Sequence, residues 1–290
     1  MQVEKLQEGV LCNLKIGRWN ASAKLPKSKL GKDIPKEIIR AMQDLIEEKK
    51  FLKDISTIRR MAKGKLWRHS LPFPIDGIWF VPKEQIEYLD HQFKQFKEEN
   101  DKRVDVFIKN YSRLKINMKK RYPDYYRPDK YPSVPSLKRK FYFNWQFFHI
   151  AMPKSGKASV LSPKLYRKEQ EKFQGMIKQM EEMGVSLIGQ RLLKRIDRLS
   201  GQCASGKISS ATVNSIDKFL QKWNELWSGY IDEKRLRTIM AQLKAQMKKV
   251  SADRLKDSEE LRDAIGGKMD SLITKLKEIP NINLKRKLDL

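Results

Sequence analysis

Between Pro82 and Pro123 the chain carries no proline, and its apolar residues fall on one stripe. Ile86, Leu89, Phe93, Phe96, Asn100, Val104, Phe107, Tyr111, Leu114 and Met118 follow steps of three and four. That spacing returns to one face of an α-helix. The step from Asn100 to Val104 is a stutter in an otherwise heptad seam. The pattern predicts a helix of about 35–40 residues, or roughly 55–60 Å. Lys94, Lys97, Glu98, Asp101 and Lys102 make its outer face polar, so the rod runs in water with a seam that needs cover along its length. Asn100 is the kind of polar seam residue that sets register.

A second long pattern begins after a proline-rich interruption. Phe173, Ile177, Met180, Gly184, Leu187, Ile188, Leu192, Ile196 and Leu199 repeat at helical spacing. Two long seams joined by proline-rich sequence predict an antiparallel helical hairpin of residues 83–121 and 164–199. Three shorter amphipathic helices are expected at Val213–Trp227, Leu236–Met247 and Leu261–Leu276, with residues 200–208 as a loop.

Strand period appears elsewhere. Val10, Cys12, Leu14 and Ile16 alternate with their neighbours, as do Phe141, Phe143, Trp145 and Phe147. Pro72 and Pro74 exclude a helix, and Asp76-Gly77 marks a hairpin turn whose second strand is Ile78–Val81. Asp33 and Pro35 look like a helix start, with a stripe from Ile34 through Met42 and Leu45 to Leu52. The expected fold is therefore α+β and predominantly α: a long antiparallel helical hairpin, or coiled coil, on a small antiparallel sheet, with a C-terminal helical bundle. The expected segments are 1–82, then 83–200 with a basic proline and aromatic interruption at 122–163, then 201–290.

The charge narrows the function. Lys and Arg number 62 against 35 Asp and Glu, a net +27. Such a balance repels itself in a compact chain and suits a polyanionic partner. Residues 113–168 hold 15 basic and 2 acidic side chains. There the cations alternate with aromatic rings. The residues expected to contact nucleic acid are Lys119, Lys120, Arg121, Tyr125, Tyr126, Arg127, Lys130, Lys138, Arg139 and Lys140. Cations neutralise phosphates and release counterions, and exposed rings stack on unpaired bases. The competing reading is that the tyrosines pack the proline-rich loop onto the rod, with the cations as a solvated rim.

Other chemistries find little support. Gly201 to Lys207 has the glycine and lysine spacing of a phosphate-binding loop, but Ile208 stands where a magnesium-binding hydroxyl is needed, and a helix rather than a buried strand precedes it. His69, His91 and His149 lie far apart, so no metal site is expected. Cys12 and Cys203 form no ligand or disulfide pattern, which suits a reducing cytoplasm. The opening residues lack the apolar core of a signal peptide, and no run is long enough for a membrane span. No nucleophile elbow, Cys–His pair or paired-acid cluster is present, so no enzyme and no cofactor are expected.

The order of features carries a resemblance. The run LWRHSLPFPIDGIWFVP (66–82), the long helix, and YRPDKYPSVPSLKRKFYFNWQFFHIAMP (126–153) together resemble an uncharacterised family of tailed-phage and prophage proteins. The arrangement is also loosely similar to a helical family of unknown function encoded near MoxR-type AAA+ ATPases and von Willebrand factor A proteins. The resemblance covers roughly residues 8–200 and implies a viral or mobile-element origin and action in the (host) cytoplasm. It supplies no catalytic residues. The expected function is low-specificity binding of DNA or RNA, in DNA metabolism or host interference. A second reading is a coiled-coil adaptor or assembly subunit for another protein, such as an AAA+ ATPase. A third is a subunit of a ribonucleoprotein complex. A homo-oligomer is expected, because a rod this long leaves seam for a second copy.

Overall fold

A computed structural model describes residues 8–26, 41–149, 161–248, 250–280 and 282. The strands are β1 (Gly9–Ile16), β2 (Ser22–Lys24), β3 (Met42–Asp44), β4 (Leu71–Pro72), β5 (Ile78–Pro82) and β6 (Phe143–Phe148). The helices are α1 (Lys50–His69), α2 (Lys83–Arg121), α3 (Val134–Lys138), α4 (Pro163–Ser205), α5 (Ser210–Lys222), α6 (Lys234–Met247), α7 (Ala252–Asp257) and α8 (Glu259–Lys277). The fold is α+β and mostly α. One sheet has the order β4-β5-β1-β6, and β2 and β3 form a separate antiparallel ribbon. In the hairpin, Leu71 pairs with Phe80 and Pro72 with Trp79, around Gly77 in the left-handed region at φ 76°. A side chain there would be strained, which is why glycine follows Asp76.

The chain divides into two compact units, each discontinuous in sequence. The first comprises residues 1–12, 69–86 and 147–289. Its core is built on α4, which packs against α8, α5 and β4. Phe173, Ile177, Met180, Ile188, Leu192, Ile196 and Leu199 of the expected stripe are all buried in it. Ser162 caps α4 by accepting from the Leu165 amide, with Pro163 in the first turn. Ser186 and Gln190 both donate to the Ile282 carbonyl at 3.0 Å, so the chain after α8 docks on α4. The α4 helix runs further than expected. Most of the loop predicted at 200–208 is its last turn, closed by Gly206 at φ 70°. Local spacing missed this because the glycine that stops the helix is Gly206, while Gly201 lies within it.

The second unit comprises residues 13–68 and 87–146, with Leu290. Its core joins Trp19, Leu45, Ile46 and Ile55 to Val104, Phe107, Tyr111 and Leu114 of α2, and to Tyr131 and Leu137. The α2 boundaries match the expected rod. Its seam, however, is covered by the 19–55 and 131–141 segments, and that of α4 by α5 to α8. The buried α4 stripe belongs to the core of the first unit and the Val104–Leu114 part of the α2 seam to that of the second. The helix expected from Ile34 to Leu52 also differs. Residues 27–40 lie outside the described residues, and Met42–Asp44 form β3, paired with β2 through Ala23 and Gln43. The helix of this region starts at Lys50 instead. Leu45 and Ile46 are buried although not helical, which gave the stripe its misleading continuity.

Both cysteines are buried and free. Burial pushes the Cys12 thiol up to about 12, consistent with a core residue. No described helix is long and apolar enough to cross a membrane.

Candidate nucleic-acid interface

The basic and aromatic stretch begins in the last turn of α2, where Lys119, Lys120 and Arg121 follow the buried Leu114 and Met118. Cations there complement the carbonyl end of the helix dipole. The Tyr122 amide donates to the Met118 carbonyl at 2.9 Å. Two single 3-10 turns follow, each opened by a proline, at Pro123–Tyr125 and Pro128–Lys130. Ser133 then caps α3, and the fully buried Leu137 pins that short helix into the core.

The tyrosines divide into two sets. Tyr131 is buried, and Tyr126 stacks on it with ring centroids 5.1 Å apart. The Tyr111 hydroxyl donates to the Pro132 carbonyl at 2.9 Å, fixing the loop to the rod. Burial pushes the Tyr131 phenol up to about 12 and raises Tyr111 further, so both stay neutral. Lys115 sits over the Tyr111 and Tyr131 rings at 5.6 and 5.7 Å. Packing thus accounts for Tyr126. Tyr122, Tyr125 and Tyr142, by contrast, are 43, 46 and 46% exposed. Tyr122 and Tyr142 were outside the expected contact set, although both belong to the same basic run.

Tyr142 is positioned by Gly17. The Gly17 amide donates to the Tyr142 carbonyl at 2.8 Å, and a Cβ at Gly17 would overlap the Tyr142 ring. Glycine is required there because the ring lies against the backbone.

The cations divide likewise. Arg113 makes a bidentate pair with Glu48 at 2.6 and 3.0 Å, which holds the Glu48 carboxyl below the usual range. Arg121 pairs with Glu47 at 2.6 Å. Lys130 pairs with Asp129 at 2.8 Å, and Arg127 lies 3.6 Å from the same carboxylate. The Lys130 hydrogen bond is the main cause of the lowered Asp129 carboxyl. Arg121, Arg127 and Lys130 are therefore engaged within the protein. Lys119, Lys120, Lys138, Arg139 and Lys140 are exposed and form no ion pair among the described residues. These five flank one core, since Leu114 before the first group and Leu137 before the second share it. The partners Glu47 and Glu48 lie 65 or more residues away in sequence, so no local signal marked them.

The second unit concentrates the charge. Residues 13–68 and 87–146 hold 31 of the 62 basic side chains but 14 of the 35 acidic ones, a net +17 of the +27. Lys154 and Lys157 of the basic run lie outside the described residues. Among the described residues no three His, Cys, Asp or Glu side chains gather as a metal site would need.

Residues 6–252 match the profile of a family described as a protein of unknown function, DUF3150. The chain belongs to the DUF3150 family. Neither the curated proteins nor the solved structures provide a match. The family description names no activity or partner, so function rests on the residues themselves.

Proposed function

We propose that this DUF3150 protein binds nucleic acid with low sequence specificity through the second unit. The observation that carries the reading is the set of five exposed cations that form no ion pair among the described residues, Lys119, Lys120, Lys138, Arg139 and Lys140, interleaved with the exposed rings of Tyr122, Tyr125 and Tyr142. Exposed cations are available to phosphates, and the release of counterions drives association. Rings half exposed beside them suit stacking on unpaired bases, which favours single strands. No catalytic role is assigned. The phage and prophage resemblance of the sequence supports a virus or mobile element as the setting of this activity, with the host cytoplasm as its site.

The test replaces the five cations with Gln together. If each touches one phosphate of a single strand, the slope of log K against log salt flattens by about 3.5, at roughly 0.7 per contact. Folding should hardly change, because exposed charges contribute little to stability. An unchanged affinity and slope would overturn the reading and leave the adaptor role, in which the charge is incidental.

A further inference from the structure

A second basic feature lies on α1, in a part of the sequence that motif reading passed over. Residues 59, 60, 63, 67 and 68 fall within about three turns on adjoining rows of one helix, beside the buried row of Ile55, Ile58, Ala62 and Leu66. Arg59, Arg60, Lys63, Trp67 and Arg68, with Arg18 from the loop after β1, line a cleft of about 420 Å³. No carboxylate lines it among the described residues. It adjoins a cavity of about 450 Å³ that shares Arg18, Ser56 and Arg60. The one acid there among the described residues, Asp44, is paired with Lys49 at 2.5 Å.

Three observations separate this cleft from a solvated helix face. Its walls carry five cations on a concave surface, a like-charge arrangement that an anion relieves. Arg18 is held in place, donating to the Ser56 hydroxyl at 2.6 Å, and that hydroxyl donates to the Leu52 carbonyl. The Nε of Arg59 is shielded from solvent and has no acceptor among the described residues, so the hydrogen-bonding capacity of this guanidinium is not used up within them. Gly64 lines the cleft too, and a Cβ there would meet nothing within 4 Å. A glycine in mid-helix lowers helix propensity, and here no neighbour requires it. Its effect is to keep the cleft open beside the Trp67 ring.

From this geometry we infer that the α1 cleft binds one nucleotide, its phosphate held by Arg18, Arg59 and Arg60 and its base laid against Trp67. The cleft volume falls in the range of small-ligand sites, and arginine forks match phosphate oxygens. The nucleotide can be free or one unit of a strand. The site is distinct from the five cations and stands whether or not they bind nucleic acid. It also adjoins them through the chain, since Arg18 follows Gly17, on which Tyr142 rests.

The test uses the full chain, with adenosine monophosphate, inorganic phosphate and a short 5′-phosphorylated oligothymidylate as probes in calorimetry at low salt. Adenosine monophosphate should bind at least tenfold more tightly than inorganic phosphate. The double variant Arg59→Gln/Arg60→Gln should lose tenfold or more. So should Gly64→Met, which fills the cleft while favouring the helix, so its loss is not a folding effect. A thermal melt no lower than the parent's confirms that point. The five-cation variant should bind the mononucleotide as the parent does. Competition between mononucleotide and oligonucleotide identifies the occupant as a unit of a strand, and its absence identifies a free nucleotide. Mononucleotide bound no better than phosphate, or bound equally by Gly64→Met and the double variant, would overturn the assignment.

Discussion

The Trp145 indole nitrogen donates a hydrogen bond to the Asp90 carboxylate at 2.8 Å, joining β6 to the second turn of α2. Lys94 pairs with the other carboxylate oxygen at 2.6 Å. The Trp145 ring packs against Phe93 and Phe143, with centroids 5.7 and 5.9 Å away. The Lys94 bond chiefly, and the Trp145 bond after it, hold the Asp90 carboxyl below its ordinary 3.8.

A pH dependence follows from that pair. A carboxyl lowered on folding contributes stability that is fully present above its unfolded value and is lost as pH falls through its folded value. The parent should therefore lose stability on acidification below about pH 4. Asp90→Asn keeps an acceptor for Trp145 but carries no proton to gain. It should cost about 1 kcal/mol at neutral pH, the usual worth of one hydrogen bond, and unfold with a shallower acid dependence. Urea midpoints measured at pH 7 and pH 3 for both proteins check this, and equal acid sensitivity would sink it.

Asn100 offers a change of opposite sign. It is 1% exposed on the α2 seam, its Nδ2 reaches Asp101 at 3.3 Å, and its Oδ1 has no partner among the described residues. A buried acceptor without a donor costs about 1–3 kcal/mol. Asn100→Leu should raise stability by about 1–2 kcal/mol, read as a higher urea midpoint at unchanged slope. If Asn100 instead fixes register between copies, light scattering would show the variant in a different oligomeric state from the parent.

Which parts of this molecule were legible in its sequence follows the range of the interactions. The α2 rod, the stripe of α4, the β4–β5 hairpin and the strand period of β6 rest on local periodicity and turn chemistry, and each appears at or near its expected place. What covers each seam does not. Phe107 meets Trp19, Phe51 and Phe141, residues between 34 and 88 positions away, and a period says only that a face is apolar. The site divided in the same way. That residues 113–140 are basic and aromatic was plain. That Tyr126 turns inward onto Tyr131 while Tyr125 stays exposed depends on where two proline-led turns place adjacent residues. The alternation in β1 also misled in detail, because Leu11 as well as Cys12 is buried, each face of that strand having its own cover.

The internal ion pairs predict a gain of binding. Glu47 and Glu48 hold Arg121 and Arg113. In Glu47→Gln/Glu48→Gln both arginines are released toward phosphates and two repelling charges are removed. Affinity for a single strand should rise, and the salt slope should steepen by about 1.4, at roughly 0.7 per new contact. Filter binding across a salt series measures it. A slope that stays the same would mean that Arg113 and Arg121 face away from the bound strand.

The two adjacent tyrosines give the sharpest separation of binding from packing. Tyr125 is 46% exposed, and removing an exposed ring usually shifts stability by no more than about 0.5 kcal/mol. Tyr126 lies against the buried Tyr131, in a core that also holds Leu137 and Tyr111. Its truncation leaves a gap beneath the 3-10 turns, at a cost of roughly 2–3 kcal/mol for a partly buried aromatic. Tyr125→Ala should therefore weaken single-strand binding by about 1–3 kcal/mol, the worth of one stacked base, with little change for duplex and an unchanged urea midpoint. Tyr126→Ala should lower the midpoint, and its binding should recover at a temperature where it is fully folded. Anisotropy with a labelled single strand, paired with a urea titration of each variant, reads both quantities. If Tyr125→Ala binds the strand as tightly as the parent, stacking at this ring is excluded and the cations alone must carry whatever binding remains.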